Sequence, residues 1–155
     1  MTSFTRTSTR EQGDLMSETQ KKLQEKYMEM QMLQMQLKQI QQQIEALQEQ
    51  IASFNIANLN LDEMKKVQSG KEILVPLLNG IFVKASIKDT DEFLVNVGAN
   101  VIVKKNLEGT KQFLQEQLNE MQKANVNMIE EMQKIGLKAM LTEKELNKLA
   151  SDIQG

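Results

Sequence analysis

Residues 73–105 read ILVPLLNGIFVKASIKDTDEFLVNVGANVIVKK, short β-branched runs set inside a chain that otherwise reads as helix. Ile73 to Leu78 and Ile81 to Ile87 flank Asn79 and Gly80, the dipeptide best suited to the two positive φ angles of a type I′ turn, so a hairpin is predicted there. A second hairpin pairs 93–97 with 101–105 through Gly98, Ala99 and Asn100, and Asp89, Thr90 and Asp91 form the polar link between the two. Strand alternation sends Ile81, Val83, Ala85 and Ile87 to one side and Phe82, Lys84, Ser86 and Lys88 to the other, giving one dry and one mixed face. Val95, Val97, Val101 and Val103 are the corresponding dry positions of the second hairpin. Pro76, the single proline, cannot donate to a ladder and belongs at an edge or a bulge.

Working outward, the stretch before the strands carries Met16, Leu23, Met30, Leu37, Ile44 and Ile51 at a seven-residue repeat, with Leu33, Ile40, Leu47, Phe54 and Leu61 three residues behind. This is a sustained heptad with glutamine filling the wet positions, and it predicts a helix over 16–61. After the strands, Leu107, Leu114, Met121, Met128 and Ile135 recur with Leu118, Asn125, Met132, Ala139 and Leu146 four behind, predicting a second helix over 107–152. Each would run about 45 residues, or about 65 Å, and neither can stand alone with its stripe exposed. They are expected to pair as an antiparallel hairpin. The heptad steps agree when Ile51 faces Leu114, Ile44 faces Met121, Leu37 faces Met128 and Met30 faces Ile135. A register displaced by one heptad, with Leu37 opposite Ile135, fits equally well. At the far end Thr19, Lys26, Ala139 and Thr142 fall on the seam and Gly136 interrupts the second helix, so loosely zipped ends are expected.

The chain of 155 residues has no Cys and no His, which removes thiol nucleophiles, disulfides and the usual zinc, copper and haem ligands. Nineteen basic and 21 acidic residues leave a net charge of -2, too little field to draw in nucleic acid or an anionic membrane. No phosphate loop is present, since Gly70 and Lys71 are followed by Glu72. Asp89, Asp91 and Glu92 lack calcium-loop spacing and read as a solvated turn. No enzyme activity, metal or cofactor is expected. No apolar run reaches the length of a spanning helix and no signal peptide opens the chain, which implies a soluble cytoplasmic protein. Residues 1–15, rich in Thr, Ser and Arg, are expected to be a disordered tail before a single domain over 16–155.

The fold class is therefore α+β: a long antiparallel coiled-coil hairpin with two β-hairpins, over 71–105, inserted between its helices. Because the helices are committed to each other, the dry strand face needs another subunit, and the β segment reads as an assembly platform. Ile81, Val83, Ala85, Ile87, Val95, Val97, Val101 and Val103 are its candidate contact residues.

That plan, with Leu74, Val75 and Pro76, then Phe82 to Ala85, then Val95, Asn96, Val97, Gly98 and Ala99, closely resembles the alpha class of prefoldin subunits. Two hairpins match the alpha class, since beta subunits carry one. The resemblance implies a hexamer of two alpha and four beta subunits, with the strands building an intersubunit double β-barrel and the coils hanging from it. It further implies an ATP-independent chaperone, a holdase that binds unfolded polypeptides and delivers them to a group II chaperonin.

Leu15, Met16, Leu23, Leu146, Leu149 and Ile153 gather at the weakly zipped end of the hairpin and are the candidate client-binding residues. Met28, Met32 and Met35 lie off the seam, either as extra packing or as an adaptable surface that accepts many partners. The competing function is a structural scaffold or tether whose coils pair with dedicated partner helices.

Overall fold

The computed structural model describes the backbone of residues 3–154 and the side chains of residue 13 and residues 17–154. Helix α1 spans Ser3–Met64, followed by strands β1 (Glu72–Leu78), β2 (Ile81–Ser86), β3 (Phe93–Asn96) and β4 (Ile102–Lys105), and helix α2 spans Leu107–Gln154. This is the expected order of two long helices around two hairpins, with the C-terminal ends of the helices three and two residues beyond the expected ones and α1 starting well before residue 16. The helix α1 starts inside the segment expected to be a disordered tail. Apart from residue 13, the side chains of that segment and of Met16 lie outside the described residues.

The chain divides into two compact units: Met1–Glu45 with Val126–Gly155, and Ala46–Asn125. In the first unit the seam residues Leu33, Ile40, Ile44 and Ala139 are buried, as the heptad assignment requires. Leu23, Met30, Leu37, Met128, Met132 and Ile135 are half-buried along the same stripes. A salt bridge of 2.8 Å joins Lys26 to Glu145, and Ile40 and Ile135 line one groove. The pairing is antiparallel.

These contacts decide the register. With Leu37 opposite Met128, Lys26 would face Ala139; displaced by one heptad, it faces Leu146, the neighbour of the Glu145 it actually bridges. In the second unit Lys111 pairs with Asp62, and the undisplaced register would set Asp62 against a strand residue. The pairs Ile51 with Leu114, Leu37 with Met128 and Met30 with Ile135 are therefore replaced by the displaced set, with Leu37 opposite Ile135. Long polar side chains bridging the seam supply information that the heptad pattern lacks, because a one-heptad slip leaves that pattern unchanged.

The expectation of loosely zipped ends is also corrected at Ala139 and Thr142. Thr142 is 3% exposed and Ala139 is 6% exposed, so small seam residues lie closed against the facing helix instead of gaping. The Thr142 hydroxyl donates to the Lys138 carbonyl at 2.8 Å, which satisfies it in an apolar seam. α2 runs through Gly136 without interruption.

In the second unit Leu118 and Thr110 are buried, and Leu61, Phe54, Leu114 and Met121 are half-buried. Asn106 caps α2: its Oδ1 accepts from the Gly109 amide at 2.7 Å and its carbonyl accepts from the Thr110 amide at 2.9 Å. A Cβ on Gly109 would lie 2.9 Å from that Oδ1, so glycine leaves room for the cap.

Each hairpin is a separate two-stranded antiparallel sheet. β1 pairs with β2 through Ile73 with Ala85 and Val75 with Val83, and the register shifts between Pro76 and Leu78. The proline thus sits beside a bulge on an edge strand, as expected. The turn differs from the expected type I′. Gly80 has a φ of 80° while Asn79 is absent from the positive-φ residues, so one left-handed residue closes this hairpin and the bulge supplies the rest of the twist.

Candidate functional site

Two surfaces carry the functional argument, the dry faces of the hairpins and the apolar residues near the helix ends. In the first hairpin Val75 sits across from Val83, and in the second Val95 sits across from Val103. Sequence alternation alone dictates this: every second residue turns to the same side, and β-branched side chains fit the pleat. Val83 is 43% exposed, and Ile81, Val97, Val101 and Val103 are likewise exposed, while Ala85 and Val95 are half-buried. Ile87 differs. It is buried, held past the end of β2 by hydrogen bonds between its carbonyl and the Gly70 amide (2.7 Å) and between its amide and the Lys71 carbonyl (3.0 Å). Of the eight predicted contact residues, seven thus stand open or partly open in the single chain, and Ile87 is spent on closing its own hairpin.

The register adds residues that the prediction left out. Ile73 and Val75 belong to the same dry face as Ala85 and Val83. A sequence signal for Val75 exists: Leu74, Val75, Val83 and Lys84 recur twenty residues on as Leu94, Val95, Val103 and Lys104 (75 to 95, 83 to 103). Both hairpins pair the repeated residues alike, Leu74 with Lys84 and Leu94 with Lys104. An apolar patch repeated on two separate hairpins leaves β-branched side chains of each exposed to water, the kind of surface that interaction sites use.

The links between these elements are tied by polar groups. Asp89 Oδ1 accepts from the amides of Asp91 at 3.1 Å and Glu92 at 3.2 Å, so its carboxylate is used in shaping the turn. Ser69 donates to the Lys88 carbonyl at 2.6 Å across the base of the first hairpin. The Lys105 ammonium stands 5.9 Å from the centre of the Phe113 ring, joining β4 to α2. Among the described residues no three His, Cys, Asp or Glu side chains cluster to hold a metal ion.

These observations meet a family match: the sequence profile described as Prefoldin subunit covers residues 33–152, well over half of the chain. The chain belongs to the prefoldin family. Among its relatives, a prefoldin subunit alpha of Thermofilum pendens is 34% identical over 84 residues, 54% of this chain and 65% of that one. A prefoldin subunit alpha of Methanospirillum hungatei is 30% identical over 100 residues, 63% of this chain and 67% of that one. The chain thus spans just under two thirds of the first relative's length. The two hairpins, together with these alpha-subunit relatives, mark it as an alpha-class prefoldin. A solved filamentous prefoldin from Methanocaldococcus jannaschii shares the fold, with a TM-score of 0.65 at 18% identity over 73% of this chain and 93% of that one. Prefoldin is a family of chaperone subunits, not of enzymes.

The second surface lies near the helix ends. Leu23, Leu146, Leu149 and Ile153 are half-buried, available to solvent along one edge while still on the seam. Leu15 and Met16 lie outside the described side chains. Beside the half-buried residues stands Lys26, whose pKa is raised above its usual value by the hydrogen bonds its ammonium donates to Glu145 first and Glu29 second. Among the described residues no helix is long and apolar enough to cross a membrane.

Proposed function

We propose that this chain is the alpha-class subunit of a cytoplasmic, ATP-independent holdase, assembled through its hairpins with beta-class subunits as two alpha and four beta. The observation that carries this reading is the repeated dry face, Val75 with Val83 and Val95 with Val103, standing open or partly open in the single chain. Burial of such faces against neighbouring strands removes apolar surface from water and pairs free strand edges at the same time. The helices are left to project their ends, and Leu15, Met16, Leu23, Leu146, Leu149 and Ile153 hold clients there. Weak contacts at several such ends at once hold an unfolded chain by avidity, so no nucleotide-driven step is required. The held polypeptide then passes to a group II chaperonin.

The experiment is light scattering from a chemically denatured protein diluted into buffer with and without the assembled complex, in the absence of ATP. Suppressed scattering at stoichiometric complex supports the holdase; undiminished scattering favours a tether with dedicated helical partners. Removing residues 1–20 and 150–155 tests the site. The truncated chain keeps its hairpins and should assemble, yet lose most of its suppression. A truncated complex as active as the full one would remove Leu15, Met16 and Ile153 from the client site.

A further inference from the structure

The outer face of α1 carries chemistry that neither the hairpins nor the helix ends use. Met28, Met32 and Met35, spaced by four and by three, share one side of the helix. They are 66%, 62% and 72% exposed, so they are not extra packing for the coil. Between Glu29 and Glu45 the sequence holds a single charge, Lys38, and its remaining polar residues are all glutamine. Gln39 continues the methionine stripe one turn further. With Gln36 and Gln43 it also rims a shallow groove that includes Ile40 and Ile135, with Glu131 at its border.

We propose that this methionine and glutamine face of α1 is a docking surface for extended segments of non-native polypeptide, separate from the helix ends. The proposal rests on the holdase reading. Thioethers on unbranched stems adapt to apolar side chains of any shape, which suits clients that share no sequence. Glutamine carboxamides both donate and accept, so they can pair with the free N–H and C=O groups of an extended backbone. Near-absence of charge lowers the desolvation cost of contact and avoids selecting clients by sign. A dedicated partner helix would be met differently, by a sustained heptad stripe or by complementary charges. This stripe ends after three methionines, and the tract beside it is almost uncharged.

The test uses the full-length chain assembled with its beta-class partner and carrying Met28→Gln, Met32→Gln and Met35→Gln together. Glutamine is a comparable helix former and the three sites are exposed, so helix content and the mass of the complex should not change. The probe is reduced, carboxymethylated α-lactalbumin, which stays unfolded. The wild-type complex should bind it, and the triple variant should bind about five-fold more weakly or worse, as expected when several adaptable thioether contacts are lost. A photo-crosslinker at position 32 should join the probe, while one at the exposed Gln115 on α2 should not. Equal binding by the triple variant, with no crosslink to the probe from position 32, overturns the proposal. A crosslink from position 32 to another subunit also overturns it, by making this face an assembly contact. If the wild-type complex does not bind the probe, the holdase reading itself fails, and the wild-type measurement alone reveals that.

Discussion

Lys26 Nζ lies 2.8 Å from Glu145 Oε2, and Glu29 Oε2 lies 3.2 Å from the same ammonium. Lys26 occupies a seam position, so a charge stands where the heptad asks for an apolar residue. Two carboxylates meet it from the coil's rim. The arrangement fixes which residue of α2 lies beside which residue of α1, a role that single polar seam residues serve at some cost in stability.

The register can be read by crosslinking. The chain has no native cysteine, so a pair introduced at Leu37 and Ile135 should close under mild oxidation, because facing seam positions bring Cβ atoms close to disulfide distance. A pair at Leu37 and Met128 should stay reduced. Closure of the second pair in place of the first, seen as a mobility shift on a non-reducing gel, would restore the undisplaced register.

The same lysine gives a pH dependence. Its folded pKa is raised above 10.5 by Glu145 and then Glu29, so its stabilising contribution is complete below the unfolded value and is lost as pH rises through the folded one. The denaturation midpoint of the wild type relative to Lys26→Met should therefore hold steady from about pH 8 to about pH 10. It should then fall as the pH climbs past 10.5. A difference that stays constant to higher pH would mean that the ammonium is not held by these carboxylates.

Asn125 is a second polar seam residue, and its Oδ1 is buried without a hydrogen-bond partner. In the displaced register it faces Leu47. Leaving a buried acceptor unpaired costs about 1–3 kcal/mol, so Asn125→Leu should raise stability by about 1 kcal/mol or more, read from urea denaturation. A lower midpoint would show that the amide makes a bond that its removal breaks.

The loop of the second hairpin stores backbone strain. Gly98, Ala99 and Asn100 have φ values of 121°, 50° and 61° in succession. Glycine and asparagine tolerate this region, but alanine pays about 1 kcal/mol for its Cβ. Ala99→Gly should recover about that much and slow amide exchange at Val101, whose N–H donates to the Gly98 carbonyl at 2.9 Å. Faster exchange in the variant would show that the loop's conformation does not depend on strain at Ala99.

Periodicity made most of this fold legible. Strand alternation placed Val83 and Val103 on dry faces, and the heptads placed Leu33, Ile40, Ile44 and Leu118 in the seam, because both patterns follow directly from backbone geometry. Register escaped for the same reason, since sliding by one heptad maps apolar positions onto apolar positions. Only specific reach, such as that of Lys26 toward Glu145, breaks the tie. The turn at Asn79 departs from type I′ because the bulge after Pro76 shares the work of twisting the strands. Val75 joins the face of Val83 through the strand register, with its repetition as Val95 present in the sequence, and alternation cannot tell a residue such as Ile87, buried by its own chain, from one awaiting a partner.

The account stands on the hairpin faces as the subunit interface, and native mass spectrometry of the chain co-expressed with a beta-class subunit tests this most directly. The wild type should give the mass of two copies of this chain with four of its partner. Val83→Lys places an unpaired charge in the buried face, at a cost of several kcal/mol, and should give dissociated subunits whose helix content is intact. An undiminished hexamer formed by the Val83→Lys chain would contradict the account, because the face across from Val75 would then not be the one that assembly buries.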